Sequence, residues 1–138
     1  KCNTMTIGWC QLGCVWNLPT CTVYVRPERY TYQFMESHDY FTVSVFPADR
    51  KKDMTFCGTK SGRDVDKVKE CGLTLRYGAG DAPFFEEAEW VLVCRKLFVQ
   101  DLEASCVTDE RVFKSYTPAM GGWHRAYVGE VVEAYQKR

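Results

Sequence analysis

Two short basic clusters carry the chemistry this chain could do. Arg26 and Arg29 bracket Pro27 in the run Arg-Pro-Glu-Arg-Tyr-Thr, and Pro at a first helical position predicts a helix starting there. A helix N-terminus already has free N–H groups and partial positive charge. Two more cations at that end are unfavourable by about a few tenths of a kcal/mol each unless an anion balances them. Phosphate suits such a place, because the amides point at it and arginine grips it with two parallel bonds. Thr31 adds a hydroxyl. The alternative is that Glu28 neutralises both arginines locally and they point to solvent. The second cluster, Gly58-Thr59-Lys60-Ser61-Gly62-Arg63, combines glycines for close backbone approach with hydroxyls and two cations. It lacks the spacing of a Walker A loop, and a plain turn also explains it. Taken together, the two clusters point to a phosphorylated small ligand.

Around them lie Trp9, Trp16, Tyr24, Tyr30, Tyr32, Trp123 and His124, in a chain whose aromatic content is 14%. A flat aromatic ligand could use some of these rings, while core packing and subunit contact account for most of them. Lys plus Arg and Asp plus Glu both number 18, so the net charge is zero. That speaks against nucleic acid or an anionic membrane as partner. No apolar run reaches the roughly 18 residues that span a bilayer. No nucleophile elbow accompanies the serines and His124. The eight cysteines include no CxxC pair, and the two histidines, His38 and His124, lie far from any cysteine pair. We therefore expect no metal site. Several cysteines sit in apolar runs, as Cys94 does, so they read as small buried hydrophobes in a reduced, cytoplasmic protein.

These residues need elements to position them. A chain of 138 residues is one domain, 1–138. Met5 to Cys10 reads as a strand, Gln11 to Pro19 as a loop, and Thr20 to Arg26 as a strand by its alternation. A helix follows from Pro27, then a strand from Tyr40 to Phe46 and a second helix from Asp49 to Cys57. Asp64 is placed to cap a third helix over Val65 to Cys71, which Gly72 stops. Further strands read as Leu73 to Tyr77, Ala88 to Asp101 and Trp123 to Tyr135, with a short one near Val112. About seven strands and three short helices favour a mostly β fold, a β-barrel with short helices plugging its ends.

Four segments resemble one family: Asn3 to Trp9, Tyr24 to Thr31, Phe56 to Asp64 and His124 to Val131. In this order they are similar to the flavin reductase-like, FMN-binding split barrels, and the flavoredoxin-like branch among them. The resemblance implies a Greek-key split barrel that binds FMN as a homodimer, with the flavin near the subunit interface. It implies that Asn3, Thr4, Met5, Thr6 and Trp9 line the isoalloxazine. Arg26, Arg29, Tyr30 and Thr31 match the phosphate side. Lys60, Ser61, Gly62 and Arg63 match a second cofactor-contacting turn. His124 matches a residue near the open face of the ring, with a positioning or proton-supplying role. Hydride would come from NADH or NADPH, and electrons would leave to a small redox acceptor or electron carrier. A flavin-binding carrier or sensor without a pyridine nucleotide site is the alternative, and a truncated, flavin-free remnant a third. Family members carry a helix and a strand ahead of the Asn3 segment, about 30 residues with their connections. The chain begins at Lys1, so the resemblance implies a barrel apparently lacking that first helix and strand.

Overall fold

The computed structural model describes residues 1–138. Seven strands form: β1 (Cys10–Val15), β2 (Leu18–Val25), β3 (Tyr40–Val45), β4 (Leu75–Tyr77), β5 (Pro83–Phe85), β6 (Trp90–Asp101) and β7 (Arg125–Gln136). Three α-helices join them: α1 (Tyr30–Ser37), α2 (Lys51–Thr59) and α3 (Lys67–Glu70). The main sheet is antiparallel, in the order β1-β2-β7-β6-β3, and β4 pairs with β5 in a small second ladder. The fold is mostly β with short helices, as expected from the sequence. No helix is long and apolar enough to cross a membrane.

The main core lies where the sheet coils under α1. Cys21, Val23 and Val25 of β2, Phe41, Cys94 and Tyr127 pack there with Met35 of α1. Register shifts in the β6–β7 ladder, at Val93/Cys94 and Lys96/Phe98, mark bulges, which bend and twist a strand. At the bend the ring of Phe41 sits on the backbone of Gly129; a Cβ there would come within 2.8 Å of Phe41 and Cys94. Helix α1 is fastened from below. The Tyr127 hydroxyl donates to Glu36 at 2.7 Å, Arg125 pairs with Glu36 at 2.8 Å, and Lys96 Nζ donates to the Met35 carbonyl. Cys57, Cys71, Leu73 and Phe85 form a second, smaller core beneath α2 and α3.

Several local expectations change. Met5 to Cys10 alternates like a strand, yet residues 2–9 make no main-chain to main-chain hydrogen bond. A strand is a ladder, and this stretch has no neighbour to pair with. The expected loop from Gln11 to Pro19 is instead a hairpin, with Val15 opposite Leu18. Its two turn residues, Trp16 and Asn17, have φ of 55° and 58°, the sign that a type I′ turn requires. Helix α3 is capped by Asp66, which accepts from the Lys69 N–H. Asp64 is engaged one turn earlier, its N–H bonding to the Ser61 carbonyl. Around Val112 the chain forms 3₁₀ turns, started by Asp109 accepting from the Arg111 N–H. The short strand β5 carries Pro83 in a three-residue run, too brief for alternation to show. All eight cysteines are free thiols. Cys21, Cys57, Cys71 and Cys94 are buried fillers as expected, whereas Cys10, Cys14 and Cys106 are exposed.

Candidate functional site

Three elements meet at one cleft of about 170 Å³, lined by Met5, Thr6, Ile7, Gly8, Trp9, Tyr24, Arg26, Arg29 and His124. One wall is the Met5 to Trp9 segment. Its Met5 and Ile7 side chains pack into the main core, which leaves the intervening backbone at the surface. The N–H groups of this stretch have no acceptor in the protein. The other walls come from the end of β2 with the start of α1, and from the turn into β7.

The segment is held from behind. Asn3 Nδ2 donates to Thr31 Oγ1 at 2.9 Å. Lys67 Nζ donates to the Thr4 and Cys57 carbonyls, both at 2.7 Å. Gly62 allows the close approach of Asn3 and Tyr30, since a Cβ there would collide with both. Lys67 is only 5% exposed and faces no carboxylate within ion-pair distance. Burial accordingly pushes its pKa below the usual lysine range. No signal in the sequence marks it, because a lysine in a helical run ordinarily points to water.

The two arginines of the first cluster have different jobs. Arg26 is committed: its guanidinium donates to the carbonyls of Gly122 at 2.8 Å and Ser115 at 2.7 Å, and it lies over the Tyr116 ring. Arg29 has no partner for its side chain in the protein. It stands at the cap position of α1, which has no side-chain cap and no acidic residue in its first turn. The N–H groups of Tyr30 and Thr31 also lack acceptors. Glu28 pairs with neither arginine; its carboxylate accepts the Gly122 N–H at 2.6 Å.

The remaining expected residues sit around this centre. Tyr30 is not a cleft wall. Its hydroxyl accepts from Lys1 at 2.8 Å, and its ring carries the Arg63 guanidinium at 5.0 Å. Asn3, Thr4, Gly62 and Arg63 line a neighbouring cavity of about 410 Å³ together with Lys67. Lys60 and Ser61 line neither space; Ser61 accepts from the Arg63 N–H. Thus Met5, Thr6, Trp9, Arg26, Arg29 and His124 are brought together, and the second turn supports them from outside.

An aromatic stack closes the cleft at the β7 end. The Trp9 and His124 rings lie 4.2 Å apart. Tyr116 stacks face to face on Trp123 at 3.8 Å and 6°, and its hydroxyl is 2.7 Å from His124 Nδ1. Burial and the nearby Arg26 push the His124 pKa down to about 4, so the imidazole is neutral at pH 7. Tyr116 is a site residue that sequence reasoning missed, because it falls in the irregular stretch between β6 and β7, where no periodicity places a side chain.

The family model of the flavin reductase like domain matches residues 1–138. The chain belongs to this family. It is similar in structure to the flavoredoxin of Methanosarcina acetivorans, with 26% identity and a TM-score of 0.75 over 99% of this chain and 62% of that one. An FMN-binding protein from Thermus thermophilus, solved with bound p-hydroxybenzaldehyde, gives 23% identity and a TM-score of 0.76 over 99% and 65%. An NADH:FAD oxidoreductase from Streptomyces globisporus gives 20% and 0.70 over 98% and 68%. At those identities the last two show the shared fold alone. The chain spans less than two thirds of the length of the first two structures. A search of curated proteins by sequence finds no match.

Proposed function

We propose that the cleft binds FMN and that the chain works in flavin-dependent redox chemistry, as an NAD(P)H-dependent flavin reductase or a flavoredoxin-like electron-transfer protein. One observation carries this reading. A run of main-chain N–H groups without acceptors borders a cleft that also holds the adjoining Trp9 and His124 rings, tilted 39° to each other, and an unpartnered arginine. The residues present fit the group. The amides of Met5 to Trp9 suit the carbonyl-rich edge of an isoalloxazine. Arg29 and the free amides of Tyr30 and Thr31 suit a phosphate dianion. The family and the FMN-binding neighbour support the same ligand.

When bound, the flavin supplies the chemistry, accepting hydride from NADH or NADPH and handing electrons to a small acceptor or electron carrier. The protein binds and orients. Its preorganised amides favour negative charge at the ring edge. Arg26 holds Ser115 and Gly122 so that Tyr116, Trp123 and His124 keep their places. The cleft is open, and a homodimer would close it. In support of a second copy, β1 is an edge strand whose outer side is unpaired, with Leu12 at 68% exposed and Trp16 in the turn after it at 55%.

The test is a visible absorption spectrum after soaking with FMN and desalting. A retained flavin band is expected, and a colourless protein overturns the reading. Arg29→Ala should then weaken FMN by about tenfold or more, the worth of one charge-assisted bond, and leave riboflavin unchanged. Equal losses for both ligands remove the phosphate assignment. Oxidation of NADH or NADPH by the loaded protein separates a reductase from a carrier without a pyridine nucleotide site.

A further inference from the structure

The Tyr116–His124 contact decides more than where the ring lies. A neutral imidazole has one N–H and one lone pair, and its partners settle which nitrogen holds the proton. Tyr116 Oη is 2.7 Å from Nδ1, and the main-chain N–H of His124 also faces it as a donor. Burial raises the Tyr116 pKa, so the phenol keeps its proton, and Nδ1 is the one acceptor in the protein within its reach. With Oη facing that N–H donor, the arrangement that gives every proton an acceptor has Nδ1 accepting and the imidazole proton on Nε2, which has no partner in the protein. The ring is packed and its main chain is anchored. Trp9 lies against it, the Leu102 N–H donates to the His124 carbonyl at 3.0 Å, and Tyr116 is itself clamped between Trp123 and Arg26. The ionisable groups facing this corner are Arg26, Glu28, Tyr24 and Tyr116.

We propose that Tyr116 is a positioning residue that locks His124 in its Nε2–H form, so that the imidazole offers the cleft a fixed hydrogen-bond donor for a ring carbonyl or imine-type nitrogen of a planar ligand. His124 then orients and polarises, and it neither takes nor gives a proton at neutral pH. The ligand half of this inference rests on the cleft being the flavin site; the tautomer does not.

The test is a long-range ¹H–¹⁵N correlation spectrum of the two imidazoles in the full chain at pH 7, without flavin. His38 is an internal contrast, because its Nδ1 is 2.9 Å from the Phe34 carbonyl, which requires a proton on Nδ1. The His124 signals, assigned by their loss in His124→Gln, should show a single neutral form with protonated Nε2. Tyr116→Phe should release the lock, and signals of the second tautomer should appear. An Nδ1–H form or an imidazolium in the wild type overturns the proposal, as does a Tyr116→Phe spectrum identical to the wild type. For the ligand half, His124→Leu should lose about tenfold in FMN affinity, and His124→Gln, whose amide keeps a donor, should restore most of it. Equal binding by both variants overturns the donor role while the tautomer stands. A wild-type chain that retains no flavin overturns the functional reading and the ligand half, and leaves the tautomer to the spectrum.

Discussion

The sheet under α1 and the segment from Asn3 to Trp9 are built by opposite rules. In the sheet, β2, β7, β6 and β3 spend their main-chain groups on one another, and Tyr127 at the centre is wholly buried. In the segment the same kinds of side chain alternate, Met5 and Ile7 inward, but the main chain makes no bond to other main chain. What holds the segment is side chains reaching from elsewhere: Lys67 to the Thr4 carbonyl and Thr31 to Asn3. The contrast teaches where a binding surface comes from. Satisfied backbone makes stable structure, and backbone left unsatisfied beside a cleft is what a polar ligand can use.

Truncation is the sharpest way to break this comparison. Tyr127→Ala should cost about 3–5 kcal/mol, as large-to-small changes of buried aromatics do, whereas Ile7→Ala should cost only about 1–2 kcal/mol at its half-buried site. Urea unfolding measures both, and equal costs would mean that the segment is part of the sheet's cooperative unit. Lys67→Met comes next. It leaves the buried Cys57 carbonyl without its donor, at about 1–3 kcal/mol, and frees the part-buried Thr4 carbonyl at less. Limited proteolysis should then cut near Thr4 faster, with amide-exchange protection in β6 and β7 unchanged. Loss of protection in the sheet would show that Lys67 supports the core rather than the segment.

The smallest effect is a pH slope. His124 titrates at about 4 in the fold, against about 6.5 in an unfolded chain. Between those values the unfolded state binds more protons, so the contribution is fully present above pH 6.5 and falls away as pH drops through 4. Urea midpoints at pH 7.5 and 4.5 should differ more for the wild type than for His124→Gln. An equal difference would place the acid sensitivity elsewhere.

Much of this was legible in the residues. Alternation in Thr20 to Arg26, Tyr40 to Phe46 and Ala88 to Asp101 marked three strands of the sheet, and Trp123 to Tyr135 a fourth. The basic cluster at Arg26 and Arg29 marked the start of α1 and one wall of the cleft. The hairpin at Trp16 and Asn17 was hidden because its turn lacks the glycine that usually announces a type I′ geometry. Asp64 and Asp66 are both good caps, and only the Ser61 turn shows which one is taken.

The sequence by itself determined the mostly β class, the strands β2, β3, β6 and β7 of the main sheet and the neighbourhood of the cleft, because burial patterns and cap chemistry are local. Only the tertiary structure decided which arginine is spent and which is free. Arg26 is spent on Ser115 and Gly122, about ninety residues along the chain. It likewise decided that Lys67 is buried and that Tyr116 meets His124. Each of these depends on a partner brought close by folding, and no spacing along the chain records which distant carbonyl or ring a side chain will find.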